Sequence, residues 1–291
     1  MKILISDSGS TKTDWCLLER LDGDEFRVSM RTTTQGMNPV HQERTELVKI
    51  LEEELLPHLP LESSSEWQCF FYGAGCVGDH AAMLKTILSE LLPIKMNKIE
   101  VASDLLAAAR ALCGNQEGIA CILGTGSNSC YYNGTDIVDN IPPLGYILGD
   151  EGSGAVLGRM FLNALYKGDL PADTREILQK ETGLTYVDII NKVYRQPMAN
   201  RFLASLTRFI AAHMDLKGMR ELVIDNFRSF LRKNVLKYGR KDLPVGAVGS
   251  VAYYFQEEFY EALMMEECLC GTILQAPMNG LISYHSIIPQ K

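Results

Sequence analysis

Two short glycine turns, each set between apolar runs, carry many of the residues in this chain that could do chemistry. The first is Asp7-Ser8-Gly9-Ser10-Thr11-Lys12 within "ILISDSGSTKTDWCLL". The second is Gly124-Thr125-Gly126-Ser127 within "ACILGTGSNSCYYN". Glycine lets backbone N–H groups approach an anion with no Cβ in the way, so such turns suit phosphate groups. Neither turn fits the common phosphate loops. No G-x-x-x-x-G-K-[ST] run is present, and "GTGSNS" lacks a third glycine and runs into strand-like "CYYN" rather than a helix. Both read as β-hairpins, and two hairpins could clasp a polyphosphate from opposite sides.

Four acids stand at three comparable places. Asp7 ends a strand beside the first turn, while Gly124 aligns with it at the second. A carboxylate there repels phosphate unless a cation intervenes, and Mg²⁺ takes one or two carboxylates together with phosphate oxygens; the alternative is an acid that caps its own turn. Asp104, in "IEVASDLLAAARAL", sits where a strand ends and a helix begins. Ser103 or Asp104 is a normal N-cap there, yet strand ends in α/β sheets are also where ligands sit, and a carboxylate so placed can take a proton from an attacking hydroxyl. In "PPLGYILGDEGSGAVLG", Asp150 and Glu151 lie among glycines just before a helix near Ser153. They read either as acids complementing the helix dipole or as glycine-held carboxylates that accept hydrogen bonds from sugar hydroxyls. Asn38, in "TTTQGMNP", is either a similar polar contact or a turn residue before Pro39.

The elements that must position these groups alternate. Strand-like runs (Lys2–Ser6, Asp14–Glu19, Phe26–Arg31) precede a helix pattern in "QERTELVKILEEELLPHL". A strand at Gln68–Tyr72, a helix at His80–Leu92, a strand at Ile99–Ala102 and a helix at Leu105–Leu112 follow. This predicts an α/β fold with a partly parallel sheet. The pattern restarts at "GIACILGTGSNSCYYNGTDIVDN", which carries a further hairpin signal at Asn133-Gly134. Gly9 aligns over Gly126 and Ser10 over Ser127, so two domains of one design are expected. Residues from Ser153 to Tyr238 read as mostly helical. A strand in "LPVGAVGS", a helix over Val251–Cys268, a short strand near Ile273 and a helix after Pro277 complete the chain.

Composition narrows the partners. The 291 residues carry a net charge of −8, with a pI of about 5.2, which argues against a nucleic-acid backbone binder. Eight cysteines lack C-x-x-C spacing and sit mostly in apolar runs, as buried free thiols of a reducing compartment do. No apolar run approaches the ~18 residues of a membrane span, and no leader pattern is visible. A cytoplasmic protein without a membrane partner is expected.

Taken in order, "SDSGSTKTDW", "ASDLLAAARA", "ILGTGSNS", "LGDEGSG" and "VGAVGSVAYYF" resemble the acetate and sugar kinase/heat-shock ATPase/actin superfamily. Within it the chain resembles the BadF/BadG/BcrA/BcrD-type ATPases, and most closely the N-acetylglucosamine kinases, over nearly its whole length. The resemblance implies an α/β fold of two ribonuclease-H-like (actin-like ATPase) domains around a nucleotide cleft. They would span residues 1–112 and 113–276, the second with a helical insertion, and a C-terminal helix in 277–291 would return to the first. It implies ATP and Mg²⁺ as cofactors. Ser8, Gly9, Ser10, Thr11 and Lys12 match the first phosphate segment, with Thr11 on phosphate. Gly124, Thr125, Gly126 and Ser127 match the second, with Thr125 on phosphate. Gly246, Gly249 and Ser250 match the adenosine segment. Asp7 would hold the metal's water shell, and Asp104 matches the catalytic base. Asn38, Gly145 and Asp150, with Glu151 beside it, match sugar-binding positions.

The implied reaction moves a phosphoryl group from ATP to the 6-hydroxyl of an amino sugar, with a homodimer compatible. One departure bears on the sugar: where N-acetylglucosamine kinases often carry G-W-G, this chain has Pro143 and Leu144 before Gly145. A glucosamine or glucose kinase is therefore a neighbouring expectation. The rival within the superfamily is an activator ATPase that drives a partner dehydratase or reductase and holds an Fe–S cluster through cysteines. Cys76 and Cys113 are its only loop candidates. A sugar sensor without turnover is a third class, against which Asp104 argues.

Overall fold

The computed structural model describes residues 1–9, 11–21, 25–61 and 66–287 of the chain. It divides into two units: Met1–Asn115 together with the stretch from Pro277 onward, and Gln116–Ala276.

The first unit opens with β1 (Lys2–Ser8), β2 (Lys12–Arg20) and β3 (Phe26–Gln35), joined antiparallel in that order. Helix α1 (Arg44–Ile50) follows, then β4 (Trp67–Gly73), α2 (Gly78–Leu91), β5 (Ile99–Ser103) and α3 (Asp104–Cys113). β4 runs parallel to β1, and β5 parallel to β4, giving the order β3-β2-β1-β4-β5. The side chains of β1 point alternately to the two faces. Leu4 joins Trp15, Leu17 and Phe71 in a core closed by Leu47 of α1 and Leu84 and Ile87 of α2. Ile3 and Ile5 join Cys16, Leu18 and Tyr72 against Ala107 of α3. Asp7 belongs to the Ile3/Ile5 set, the face on which α3 begins.

The expected helix after Gln42 is shorter and changes form. It starts at Arg44, widens into a π turn over Leu51–Leu55 and tightens into a 3₁₀ turn at Leu56–His58, where Pro57 ends it. Glu54 of the π turn accepts two hydrogen bonds from Gln35, from its backbone N–H and its side-chain amide, each 2.7 Å. That grip fixes the end of β3 just before Met37 and Asn38.

The second unit repeats the plan. β6 (Glu117–Leu123), β7 (Ser127–Asn133) and β8 (Ile137–Asp139) are antiparallel neighbours. Then come α4 (Gly145–Leu148), α5 (Gly154–Lys167), α6 (Thr174–Thr182), α7 (Tyr186–Tyr194), α8 (Ala199–Ser205), α9 (Thr207–Ala212) and α10 (Met219–Lys233). β9 (Pro244–Val248) pairs parallel with β6. After α11 (Ser250–Tyr254) and α12 (Gln256–Met265), β10 (Leu269–Leu274) pairs parallel with β9. The order β10-β9-β6-β7-β8 is that of the first sheet, strand for strand. The single helix expected over Val251–Cys268 is broken at buried Phe255, and Cys268 lies beyond its end.

The chain closes on α13 (Met278–Ile287), which belongs to the first unit. It packs Met278 and Leu281 onto the Ile3/Ile5 core. Its buried His285 stacks on Phe70 with centroids 3.9 Å apart and shares a 2.9 Å hydrogen bond with the Tyr72 hydroxyl. Among the described residues no helix is long and apolar enough to cross a membrane.

Candidate active site

Strand register brings the first-unit acids together. Asp7 lies opposite Asp14 across the β1–β2 hairpin and beside Tyr72 of β4. Tyr72 lies beside Ala102, and Gly73 beside Ser103, the last residue of β5. Asp104 follows at once, so Asp7 and Asp104 stand at the same end of the sheet, at the ends of parallel strands β1 and β5 with β4 between them. Like charges facing each other across a ladder repel. The Asp7 carboxyl is pushed up to about 7, first by burial, then by the charges of Asp14 and Asp104, with Lys12 opposing. Lys12 gives little relief because its ammonium already pairs with Asp14 at 2.8 Å.

The capping alternative for Asp104 is resolved by its neighbour. The Ser103 hydroxyl caps α3 by accepting from the N–H of Leu106 at 3.2 Å. Asp104 is the first helical residue, and its carboxyl is raised above the usual range, chiefly by burial, against help from the N–H groups of Leu105 and Asp104 itself.

The first turn is tied down from within. Gly9 N–H donates to Lys12 O at 3.0 Å, and Gly36 N–H to Thr11 O at 3.0 Å. The buried Ser8 hydroxyl shares a 2.7 Å bond with Thr13, donates to Met37 O and accepts from Met37 N–H. The Ser8 side chain is therefore engaged within the protein. Thr11 is exposed, and Ser10 lies outside the described residues. Asn38 is held as a turn residue: its Oδ1 accepts from Val40 N–H at 3.0 Å, and its own N–H donates to Gln42 Oε1 at 2.7 Å.

In the second unit the remaining candidates converge on the β6–β7 turn. Gly124 N–H donates to Gly126 O. The carbonyls of Gly124 and Thr125 accept from Gly154 and Ala155, the first residues of α5. Gly249, with φ +128, lies so close that a Cβ on it would sit 2.3 Å from Leu123 O. The Gly246–Ser250 segment thus abuts the Gly124 turn. The Asp150 carboxylate lies against Gly126, where an added Cβ would be 3.1 Å from its Oδ2. It accepts backbone hydrogen bonds from Ser127 and Gly145, while burial raises its carboxyl above the usual range. Asp150 itself takes a left-handed φ of 53°. Because Ser153 caps α5, Asp150 precedes that helix rather than forming its first turn. Glu151 is engaged elsewhere, in a 2.7 Å ion pair with Lys233.

Beside Ser250 opens a cavity of about 530 Å³ lined by Thr207, Arg208, Ala211, Ser250, Val251, Tyr254 and Phe255. Its size is that of a small-molecule site. Thr207, Arg208 and Tyr254 escaped the sequence analysis, since they come from α9 and α11 and share no local pattern.

A divalent cation suits the first-unit set. A carboxyl pushed to about 7 by burial and by two neighbouring acids regains its charge more readily when a cation arrives. Among the described residues, no three His, Cys, Asp or Glu side chains form a metal-holding group. Mg²⁺ keeps most of its waters and takes one or two protein carboxylates.

No protein-family model matches the chain. A crystal structure of a proposed N-acetylglucosamine kinase from Porphyromonas gingivalis is 50% identical, covers 98% of both chains and superimposes with a TM-score of 0.88. An N-acetylmuramic acid/N-acetylglucosamine kinase from Clostridium acetobutylicum is 27% identical over 218 residues, 72% of this chain and 70% of that protein. A ROK-family glucokinase from Streptomyces griseus, solved with glucose and AMPPNP, shares the fold at 13% identity and a TM-score of 0.55 over 98% of both chains. With half of its residues identical to the first of these across nearly its full length, the chain belongs to the N-acetylglucosamine kinase-like proteins, built on the two-unit actin-like ATPase fold.

Proposed function

We propose that this protein is an ATP-dependent kinase that phosphorylates the 6-hydroxyl of N-acetylglucosamine, and that it is a member of the BadF-type ATPases. The observation that carries the chemistry is Asp104. Relieved of capping by Ser103, half-buried at a strand end and raised in pKa, it suits a base that orients and deprotonates a sugar hydroxyl. In this reading the turns at Ser8–Lys12 and Gly124–Ser127 offer backbone N–H groups to the phosphates of ATP, and the cavity beside Ser250 takes the adenosine. Asp7 would hold Mg²⁺, which would neutralise phosphate charge. Asp150, Gly145 and Asn38 read the sugar. Phosphoryl transfer needs mostly positioning and charge neutralisation, which such a set supplies. A cytoplasmic enzyme acting on small molecules, without a nucleic-acid partner, accords with the composition.

The activator-ATPase reading finds little support in its cysteines. The Cys76 thiol is pushed up to about 12, by burial and then by Asp104, and Cys113 to about 11 by burial. Thiols raised by burial in this way are less reactive than free ones.

The test is a coupled kinase assay over N-acetylglucosamine, N-acetylmuramic acid, glucosamine, glucose and their epimers. N-acetylglucosamine should give the highest kcat/KM. A higher value for glucosamine or glucose overturns the substrate but not the kinase. ATP hydrolysis stimulated only by a partner protein, with no sugar phosphorylated, overturns both.

A further inference from the structure

The Asp150 loop rests on one face of α10. Asn226, Phe230 and Lys233 are spaced four and three apart, so they share a helix face. They meet successive loop residues in reverse order. The Asn226 side chain is fully buried; its Oδ1 accepts from Gly152 N–H at 3.0 Å and its Nδ2 donates to Ser153 O at 3.3 Å. Phe230 packs so closely on Gly152, at φ +80, that a Cβ there would sit 2.8 Å from Phe230 Cβ and 2.9 Å from its ring Cγ. Lys233 pairs with Glu151 at 2.7 Å. The residue preceding Glu151, Gly152 and Ser153 is Asp150, in a left-handed conformation that Asp tolerates better than most non-glycine residues but that its surroundings must still hold.

We propose that α10 is a splint for this loop and that Asn226 is a positioning residue for the sugar, holding the Asp150 carboxylate in place through Gly152 and Ser153. The proposal rests on the reading of Asp150 as a sugar-binding carboxylate. Asn226 touches no substrate in it. Glu151 serves the same end by anchoring the loop to Lys233.

The test compares steady-state kinetics with hydrogen exchange in the full-length protein. Asn226→Ala should raise the KM for N-acetylglucosamine about tenfold, the equivalent of about 1.4 kcal/mol, with the KM for ATP within about twofold. Asn226→Asp keeps the acceptor for Gly152 N–H and should raise the sugar KM less. Because Asn226 is buried, Lys233→Met provides a second arm at an exposed position. It should raise the sugar KM about two- to threefold with an unchanged Tm, since exposed ion pairs add little to stability. Exchange at the Gly152 amide should quicken in Asn226→Ala while amides of β6 and β7 keep their rates. Unchanged Gly152 exchange, an unchanged sugar KM, or equal rises in both KM values overturns the proposal. If the wild-type protein phosphorylates no sugar, the functional reading has failed and the positioning role falls with it. That result is recognisable because wild type and variants are then equally inert.

Discussion

The two units share one strand order and differ in what stands at the mouth of the first hairpin. In the first unit β1 ends in Asp7 and Ser8, an acid facing Asp14 across the ladder and a hydroxyl bonded into Thr13 and Met37. In the second β6 ends in Ile122 and Leu123, and its turn is three residues of glycine and threonine with α5 and Gly249 pressed against it. Sequence alignment sets Gly124 against Asp7, but Asp7 lies within β1 and Gly124 in the turn beyond β6. A repeated scaffold thus carries an acidic half and a neutral half. The acidic half suits a cation and a proton acceptor. The neutral half offers backbone donors and one carboxylate, Asp150, brought in from a loop after the sheet.

That division can be broken most sharply at Asp104. Asp104→Asn should lower kcat about 10²- to 10⁴-fold, as general-base loss does, with sugar affinity by titration calorimetry largely kept. Near-wild-type turnover in a folded variant would remove the acidic half from the chemistry. Asp7 should show next. Its folded pKa of about 7 exceeds the ordinary 3.8, so the folded state binds the proton more tightly than the unfolded chain. Its contribution to stability is complete below about pH 4 and is lost as pH rises through about 7. Asp7→Asn should therefore gain stability over wild type across that window, by no more than about 4 kcal/mol, in urea titrations of the nucleotide-free protein. Mg²⁺ should narrow the gap by stabilising wild type alone. A constant difference from pH 4 to 8 would make Asp7 an ordinary turn acid.

The neutral half is sharpened by Asp150→Ala. Loss of hydrogen bonds to a charged group, about 1.5–3 kcal/mol, should raise the sugar KM roughly 10- to 100-fold and leave the KM for ATP nearly unchanged. Equal effects on both substrates would mean that Asp150 only ties Ser127 to Gly145. The smallest effect is expected at Ser8→Ala. The bonds to Thr13 and Met37 should make it less stable by about 1 kcal/mol, seen as a lower Tm, with modest kinetic change. A large loss of ATP affinity at unchanged Tm would show that the hydroxyl itself serves the ligand.

Much of this was legible along the chain because the forces involved are local. An apolar run such as Ile3–Ile5 or Ile119–Leu123 declares a buried strand, small polar residues after it declare a turn, and Asp104 after "IEVAS" declares a strand end meeting a helix. The duplication was visible for the same reason, since each copy repeats the local pattern. Partnerships between distant positions left no such trace. Asn226 reaches Gly152 across 74 positions, yet in sequence it is one polar residue on an amphipathic helix. The break at Phe255 has neither proline nor glycine to announce it, and the π turn at Leu51–Leu55 reads as ordinary helix. Asp150 and Glu151 look equivalent side by side, but packing gives one to Ser127 and Gly145 and the other to Lys233. Likewise Ser103 and Asp104 are equal candidates for the cap by residue type, and the bond from Leu106 N–H to the Ser103 hydroxyl decides between them. Residue type and spacing specify what each segment can become, through sterics and periodicity. Which of two adjacent groups is left for chemistry depends on which one finds a partner, and those partners arrive from elsewhere in the chain only once the core has formed.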